Sequence, residues 1–185
     1  MQIIFVRKCI KFYIPLRMKT EKQSCFGDGK EENMTLTQKE NSLLKDLKSQ
    51  EKLCIEKYGK YEKEASDAAL KNLFSSIKTT EENHLATINR ILEGEEVAMS
   101  CAAPKAKDEK ANFPQSAVTG DEKTHDAFLC SDALAMEKHV SSVYDIAIFE
   151  FSSPTLRDTL NHIQKEEQNH GKELYDYMSK NNMYS

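Results

Sequence analysis

Tryptophan is absent from this sequence, and glycine and proline are scarce, at six and four among 185 residues. Most of these breakers fall between stretches of regular hydrophobic spacing, which suits an all-helical protein. No apolar run is long enough to cross a membrane. The five cysteines (Cys9, Cys25, Cys54, Cys101 and Cys130) are odd in number, and no two form a Cys-x-x-Cys. That spacing leaves a zinc knuckle, a rubredoxin-like iron site and a disulfide framework unsupported, so synthesis in a reducing cytosol is expected. The net charge of −4 gives no electrostatic footprint for nucleic acid. The length allows one domain with a substantial core.

The first 33 residues differ from the rest. Seven basic residues, Arg7 through Lys30, stand against Glu21, Asp28, Glu31 and Glu32. The apolar run Ile3–Val6 is broken by Arg7 and Lys8, and there is no small-residue cleavage site, so a signal peptide is not expected. Lys30-Glu31-Glu32 before Met34 reads as a translated ribosome-binding sequence, with Met34 as the true start. The alternative is a basic amphipathic tail that touches a membrane or a partner. Residues 1–35 are therefore set apart as an extension that need not belong to the native protein.

Hydrophobic spacing predicts four helices beyond it. The first runs from near Thr37, where Thr37-Gln38-Lys39-Glu40 fits a capping box, to about Ala65. The second starts after Ser66-Asp67 and stops at Gly94. Breakers from residue 95 to 123, including Phe113-Pro114 and Thr119-Gly120, predict a long connection. The third helix is expected from about Thr124 to Phe151. The fourth follows from Ser153-Pro154, an N-cap with proline behind it, to about Asn181. The expected units are a hairpin at 36–94, a crossover linker at 95–123 and a second hairpin at 124–182. Residues 36–182 together form one domain.

The hairpins read as copies offset by 86 residues, with no gap between Leu43 and His84. Glu51 meets Glu137, Tyr58 meets Tyr144, Leu70 meets Leu156, Glu81 meets Glu167 and His84 meets His170. Two hairpins related by a two-fold axis need the second and third helices parallel, so the chain must travel the bundle's length between them. The linker reaches that far at up to ~3.3 Å per extended residue. The predicted fold is all-α: a ferritin-like four-helix bundle of two repeated helical hairpins with one long crossover between its second and third helices.

Six ionisable residues interrupt the apolar stripes. Glu81-x-x-His84 and Glu167-x-x-His170 each set a carboxylate and an imidazole one turn apart. Glu51 and Glu137 stand thirty residues before them on the partner helices. Buried carboxylates without partners cost several kcal/mol at least. Two divalent cations balance four of them, and neutral imidazoles complete the shells. One Glu from each of two helices plus Glu-x-x-His from each of the others is the recipe of dinuclear iron and manganese bundles, and these donors suit Fe or Mn. The metal-ligand candidates are therefore Glu51, Glu81, His84, Glu137, Glu167 and His170, holding two Fe or Mn ions. A single Glu-x-x-His is usually solvated surface, and the bland alternative here is a bundle whose buried polar groups bond only to one another. Tyr58 and Tyr144, two turns beyond each helix glutamate, read as core tyrosines or as donors to a metal-bound carboxylate. Cys54 reads as a small buried hydrophobe. His125, His139 and His162 read as surface, and Glu56, Glu62, Glu82 and Glu166 as solvated faces, with Glu82 or Glu166 the substitutes if the register shifts by one.

The stretch Leu129-Cys130-Ser131-Asp132-Ala133-Leu134-Ala135-Met136-Glu137-Lys138 resembles the start of the spore coat protein F domain. So do Tyr144, Glu150, Ser153-Pro154, Leu156-Arg157, the run from Ile163 to His170, and the ending from Met178 to Tyr184. The first half resembles the N-terminal hairpin of related ferritin-like coat proteins of spore-forming bacteria. The resemblance implies a protein made in the cytoplasm and deposited in the spore coat, where other coat proteins are its partners and a homodimer is one assembly open to it. By analogy with bacterioferritin-like sites, Glu51 with His84 would hold one metal, Glu137 with His170 the other, and Glu81 and Glu167 would bridge. Rubrerythrins carry a further glutamate where this chain has Val140. A rubrerythrin peroxidase in the strict sense is thus disfavoured. Two functions are expected to compete: a coat component with a dinuclear Fe/Mn carboxylate site, and a di-iron or di-manganese oxidase or peroxidase protecting against O₂ or H₂O₂.

Overall fold

The computed structural model describes residues 35–98 and 112–184. The readings placed on residues 1–33, Cys9, Cys25 and Cys101 lie outside them. Among the described residues there are four helices and no strand.

Helix α1 (Gln38–Glu64) starts at a complete capping box, in which the Thr37 hydroxyl accepts from Glu40 N and a Glu40 oxygen accepts from Thr37 N. Asp67 caps α2 (Ala68–Leu92) through Ala69 N and Leu70 N, and Gly94, with φ of 93°, closes its far end. Ser153 caps α4 (Pro154–Lys180), whose first residue is the proline read from the sequence. Helix α3 (Gly120–Glu150) departs from expectation by starting four residues before Thr124. Thr119-Gly120 reads as a break, yet Gly120 takes φ of 61° as the first helical residue, and Asp121 and Glu122 then face the positive end of the helix dipole.

Each hairpin closes through a three-residue turn, at 65–67 and 151–153. Helix α1 packs along α2 and α3 along α4, and the pairs meet through α1 with α3 and α2 with α4. Contacts across the bundle fix the direction. Tyr58 reaches Glu137 while Tyr144 reaches Glu51, so α1 and α3 run antiparallel. Helices α2 and α3 are then parallel, and the chain between them has to return over the length of α2, about 37 Å. Its described ends lie at opposite ends of α4. Val97 O accepts from Thr159 Oγ1 at 2.6 Å, whereas Phe113 stacks on Tyr177 at 5.5 Å and Ser116 N donates to Asn181 Oδ1 at 2.8 Å.

The core is a single column of Leu44, Leu47, Phe74, Ile77, Ile88, Leu129, Val140, Leu160, Ile163 and Leu174, each 1% exposed or less. Two buried carboxylates tie the hairpins together at its ends. Glu40 accepts from Ser152 N at 2.9 Å, and Asp126 accepts from Ser66 N at 2.8 Å and Asp67 N at 3.0 Å. Each first helix thus satisfies backbone donors of the other hairpin's turn.

Candidate metal centre

All six candidate ligands lie at mid-height of the bundle and are buried, none more than 5% exposed. Each follows from its apolar stripe: Glu51 comes one turn after Leu47, Glu81 one turn after Ile77, Glu137 one turn after Ala133, and Glu167 one turn after Ile163. Packing these stripes face to face sinks the carboxylates and imidazoles into the hydrocarbon with them.

They form two overlapping groups. Glu51, Glu81, His84 and Glu167 offer ligand atoms within 4.8 Å of one another, and so do Glu81, Glu137, Glu167 and His170. Glu81 and Glu167 belong to both. The imidazole rings lie 5.9 Å apart. Around His84 Nδ1 stand Glu81 Oε2 at 3.1 Å, Glu167 Oε1 at 3.1 Å and Glu51 Oε2 at 3.8 Å. Around His170 Nδ1 stand Glu81 Oε1 at 3.0 Å, Glu137 Oε2 at 3.4 Å and Glu167 Oε2 at 3.8 Å. One ring nitrogen can serve one acceptor along its bond direction, so three oxygens on each are too many. Five carboxylate oxygens and His170 Nδ1 are accordingly buried without a hydrogen bond: Glu51 Oε2, Glu81 Oε1, Glu137 Oε2 and both oxygens of Glu167. Atoms so placed are costly unless a cation meets them. This oxygen and nitrogen set therefore fits divalent metal, and two ions of charge +2 would match four carboxylates.

The surroundings orient the set. Tyr58, from α1, donates its hydroxyl to Glu137 Oε1, and Tyr144, from α3, donates to Glu51 Oε1. Each tyrosine holds one oxygen of a carboxylate whose other oxygen turns to the centre. Both hydroxyls are kept protonated, first by burial and then by these carboxylates. Burial also pushes the Cys54 thiol far up, with the four glutamates adding to it, so Cys54 stays a neutral packing residue.

Charge within the cluster is uneven. Burial, then repulsion from Glu81 and Glu167, raises the Glu51 carboxyl well above the usual range, and burial first of all pushes Glu137 up to about 8. Burial acts the same way on Glu81, but the close imidazoles of His170 and His84 outweigh it and hold this carboxyl low. Glu167 is lowered in the same manner. For His84, burial opposes the charge while Glu166, Glu167 and Glu81 outweigh it. His170 is raised likewise by Glu137, Glu167 and Glu81.

Glu166, offered by the sequence only as a substitute ligand for a shifted register, has a different place beside the centre. Read as a solvated face, its side chain is only 28% exposed, and Oε2 lies 3.0 Å from His84 Nε2. It therefore fixes which ring nitrogen of His84 faces the centre. His162 lies 3.7 Å from the same oxygen with its side chain 21% exposed, so it is half-buried rather than on the surface. His125 and His139 are exposed. The sequence signal for Glu166 was weak, because Glu166-Glu167 offers two neighbouring carboxylates and only packing against α2 separates their roles. A groove of about 540 Å³ runs between α3 and α4, and its lining includes Glu137, Glu167, Tyr175 and Tyr184.

No curated protein and no solved structure matches the chain. Residues 125–185 match the family model described as the Coat F domain. That stretch takes in most of α3 and all of α4 and contains Glu137, Glu167 and His170. Over these residues the second hairpin is similar to the Coat F domain, which supports the resemblance to the spore coat protein F family.

Proposed function

We propose that this is a ferritin-like protein of the spore coat, its two hairpins being sequence repeats, whose core holds a dinuclear iron or manganese centre. One observation carries the metal reading: five carboxylate oxygens and one imidazole nitrogen are buried together without hydrogen-bond partners. Glu51 and His84 hold one ion, Glu137 and His170 the other, and Glu81 and Glu167, common to both groups, bridge them. Tyr58 and Tyr144 keep the two terminal carboxylates turned inward. Deposition in the coat and contact with other coat proteins rest on the Coat F domain alone. The residues from 36 to 182 act as one folding unit in this reading, with residues 95–123 as its crossover.

Elemental mass spectrometry of the purified chain is expected to find about two Fe or Mn per chain, lost from a Glu81→Ala/Glu167→Ala variant. No stoichiometric metal after anaerobic loading would leave a polar-cored coat protein instead.

A second reading makes the same site an oxidoreductase, and the groove lined by Glu137 and Glu167 favours it, because a reacting molecule has to approach these ligands. Bound Fe or Mn would supply the redox equivalents for reducing O₂ or peroxide. The chain's part is to hold the carboxylates and exclude bulk water. Fe(II) oxidation or peroxide loss that is equally fast in Glu81→Ala would remove the site from any such activity.

A further inference from the structure

Helix α3 turns an uncharged stripe to solvent. Phe128, Ser131, Ala135, Ser142, Ile146 and Phe149 share one face at helical spacing, opposite the side that carries Ala133, Val140 and Tyr144 into the core, and all six are exposed. Phe149, Phe128 and Ile146 are 83%, 65% and 58% exposed, which makes them the three most exposed large hydrophobic side chains among the described residues. Single apolar residues on a surface are ordinary, so their alignment on one face is the feature to explain. The other hairpin supplies the comparison. Tyr58 and Tyr144 reach across the bundle in the same way, so α1 presents the corresponding outer face at Ser42, Lys45, Ser49, Glu56, Lys60 and Lys63. All six are exposed and four are charged. An outer helix of this bundle is thus well solvated without an apolar stripe, and α3 carries one.

The stripe has the same spacing read from either end: steps of three, four, seven, four and three residues. Against a copy of itself running the opposite way, such a face matches position for position. Phe128 comes level with the partner's Phe149, Ser131 with the partner's Ile146, and Ala135 with the partner's Ser142, and the three pairs repeat beyond a two-fold axis between Lys138 and His139. The small residues in the middle let the helix axes approach to about 8 Å, and a pair of phenylalanines closes each end. The Ser131 hydroxyl already donates to Ala127 O at 2.8 Å, so it brings no unmet donor. Lys138, beside the axis, reaches solvent along its stem. A parallel pair would set Ser131 on Ser131 and Ile146 on Ile146, a gap beside a crowd, and would align the two helix dipoles unfavourably. The two phenylalanines would withdraw roughly 300 Å² per copy, with Ile146 adding to it along about 31 Å of helix. A standard interface covers about 800 Å² on each partner, so the area suits a small, reversible dimer.

We propose that the outer face of α3 is a homodimer interface, through which two copies of this chain pair antiparallel about a two-fold axis between Lys138 and His139. It stands whether or not the core takes metal.

Sedimentation equilibrium of the full chain, from about 1 to 200 μM, is expected to show a monomer–dimer equilibrium with a dissociation constant on the order of 10 μM. Phe149→Asp enters a two-fold interface twice and is expected to weaken it at least about 100-fold. Its thermal midpoint, read where the unaltered chain is monomeric, is expected to stay unchanged because the side chain is exposed. Leu53→Asp, on the outer face of α1, is expected to leave the dimer as it is. Orientation is read separately, with photoreactive benzoylphenylalanine in place of Phe128 and the cross-linked peptides mapped by mass spectrometry. Cross-links to the peptide carrying Phe149 are expected, and these arise between chains, because the two positions lie about 31 Å apart on one helix. A chain that stays monomeric throughout, a dimer indifferent to Phe149→Asp or equally weakened by Leu53→Asp, or cross-links that join the Phe128 regions of both copies would each overturn the proposal.

Discussion

Loading the core with divalent metal should expel protons, and their number follows from the charge balance of six side chains. Without metal, burial above all raises the Glu51 carboxyl well above the usual range and pushes Glu137 up to about 8, so both hold their protons more tightly than a free glutamate. Glu81 and Glu167 stay ionised, and His84 and His170 are held as imidazolium by the carboxylates around them. Two carboxylates and two imidazolium ions then cancel with no outside charge. Metal ligands must be deprotonated, so two divalent ions displace about four protons per chain near pH 7. Each displaced proton contributes a factor of ten per pH unit. The overall affinity for the pair of ions should rise about 10⁴-fold, or ~5.4 kcal/mol, between pH 6 and pH 7. Calorimetric titration with Mn(II) in buffers of differing ionisation enthalpy measures the proton count directly. Release of one proton or fewer would refute this charge balance, because the six groups would then have been poised for metal without internal protons.

Three further outcomes follow from the same geometry. Tyr58→Phe leaves Glu137 Oε1 buried without its donor and is expected to cost about 1–3 kcal/mol of stability, read from denaturant melts of the metal-free chain. Glu166→Gln removes the charge facing His84 Nε2 and is expected to weaken metal affinity by roughly 10–100-fold in chelator competition, whereas an unchanged affinity would make Glu166 a bystander. The metal-free chain should lose stability as pH rises. Glu137 is raised from 4.5 to about 8 and Glu51 well above 4.5, so the folded state binds their protons more tightly and this advantage fades as pH climbs through the folded values. His84 and His170, raised above 6.5, contribute below that value and lose the contribution on the same rise. A thermal midpoint in EDTA that is higher at pH 8.5 than at pH 5.5 would contradict the assignment.

Much of the scaffold was legible in the sequence because helix ends carry local chemistry. Thr37, Asp67 and Ser153 cap through their own side chains, and their neighbours announce them. The six buried ionisable residues were legible because charge on an apolar stripe is unusual enough to need a reason. What stayed hidden depends on partners far along the chain. Glu40 reads as half of a capping box, and nothing local says that its other oxygen meets Ser152. Asp132 looks like a surface acid, yet Lys57 lies 2.5 Å from it and the Tyr61 hydroxyl bonds the same oxygen. Gly120 was misread for the opposite reason, since a glycine after threonine looks the same from the sequence whether it ends a loop or begins a helix.

The clamps made by Glu40 and Asp126 bear on how such a bundle assembles. Each belongs to the first helix of one hairpin and closes the turn of the other. In the language of oligomers this contact is isologous: a patch on one half meets the same patch on its mate. Such a surface does not require both halves to be covalently joined. The crossover then acts as a tether that raises the effective concentration of one half around the other and makes folding independent of dilution.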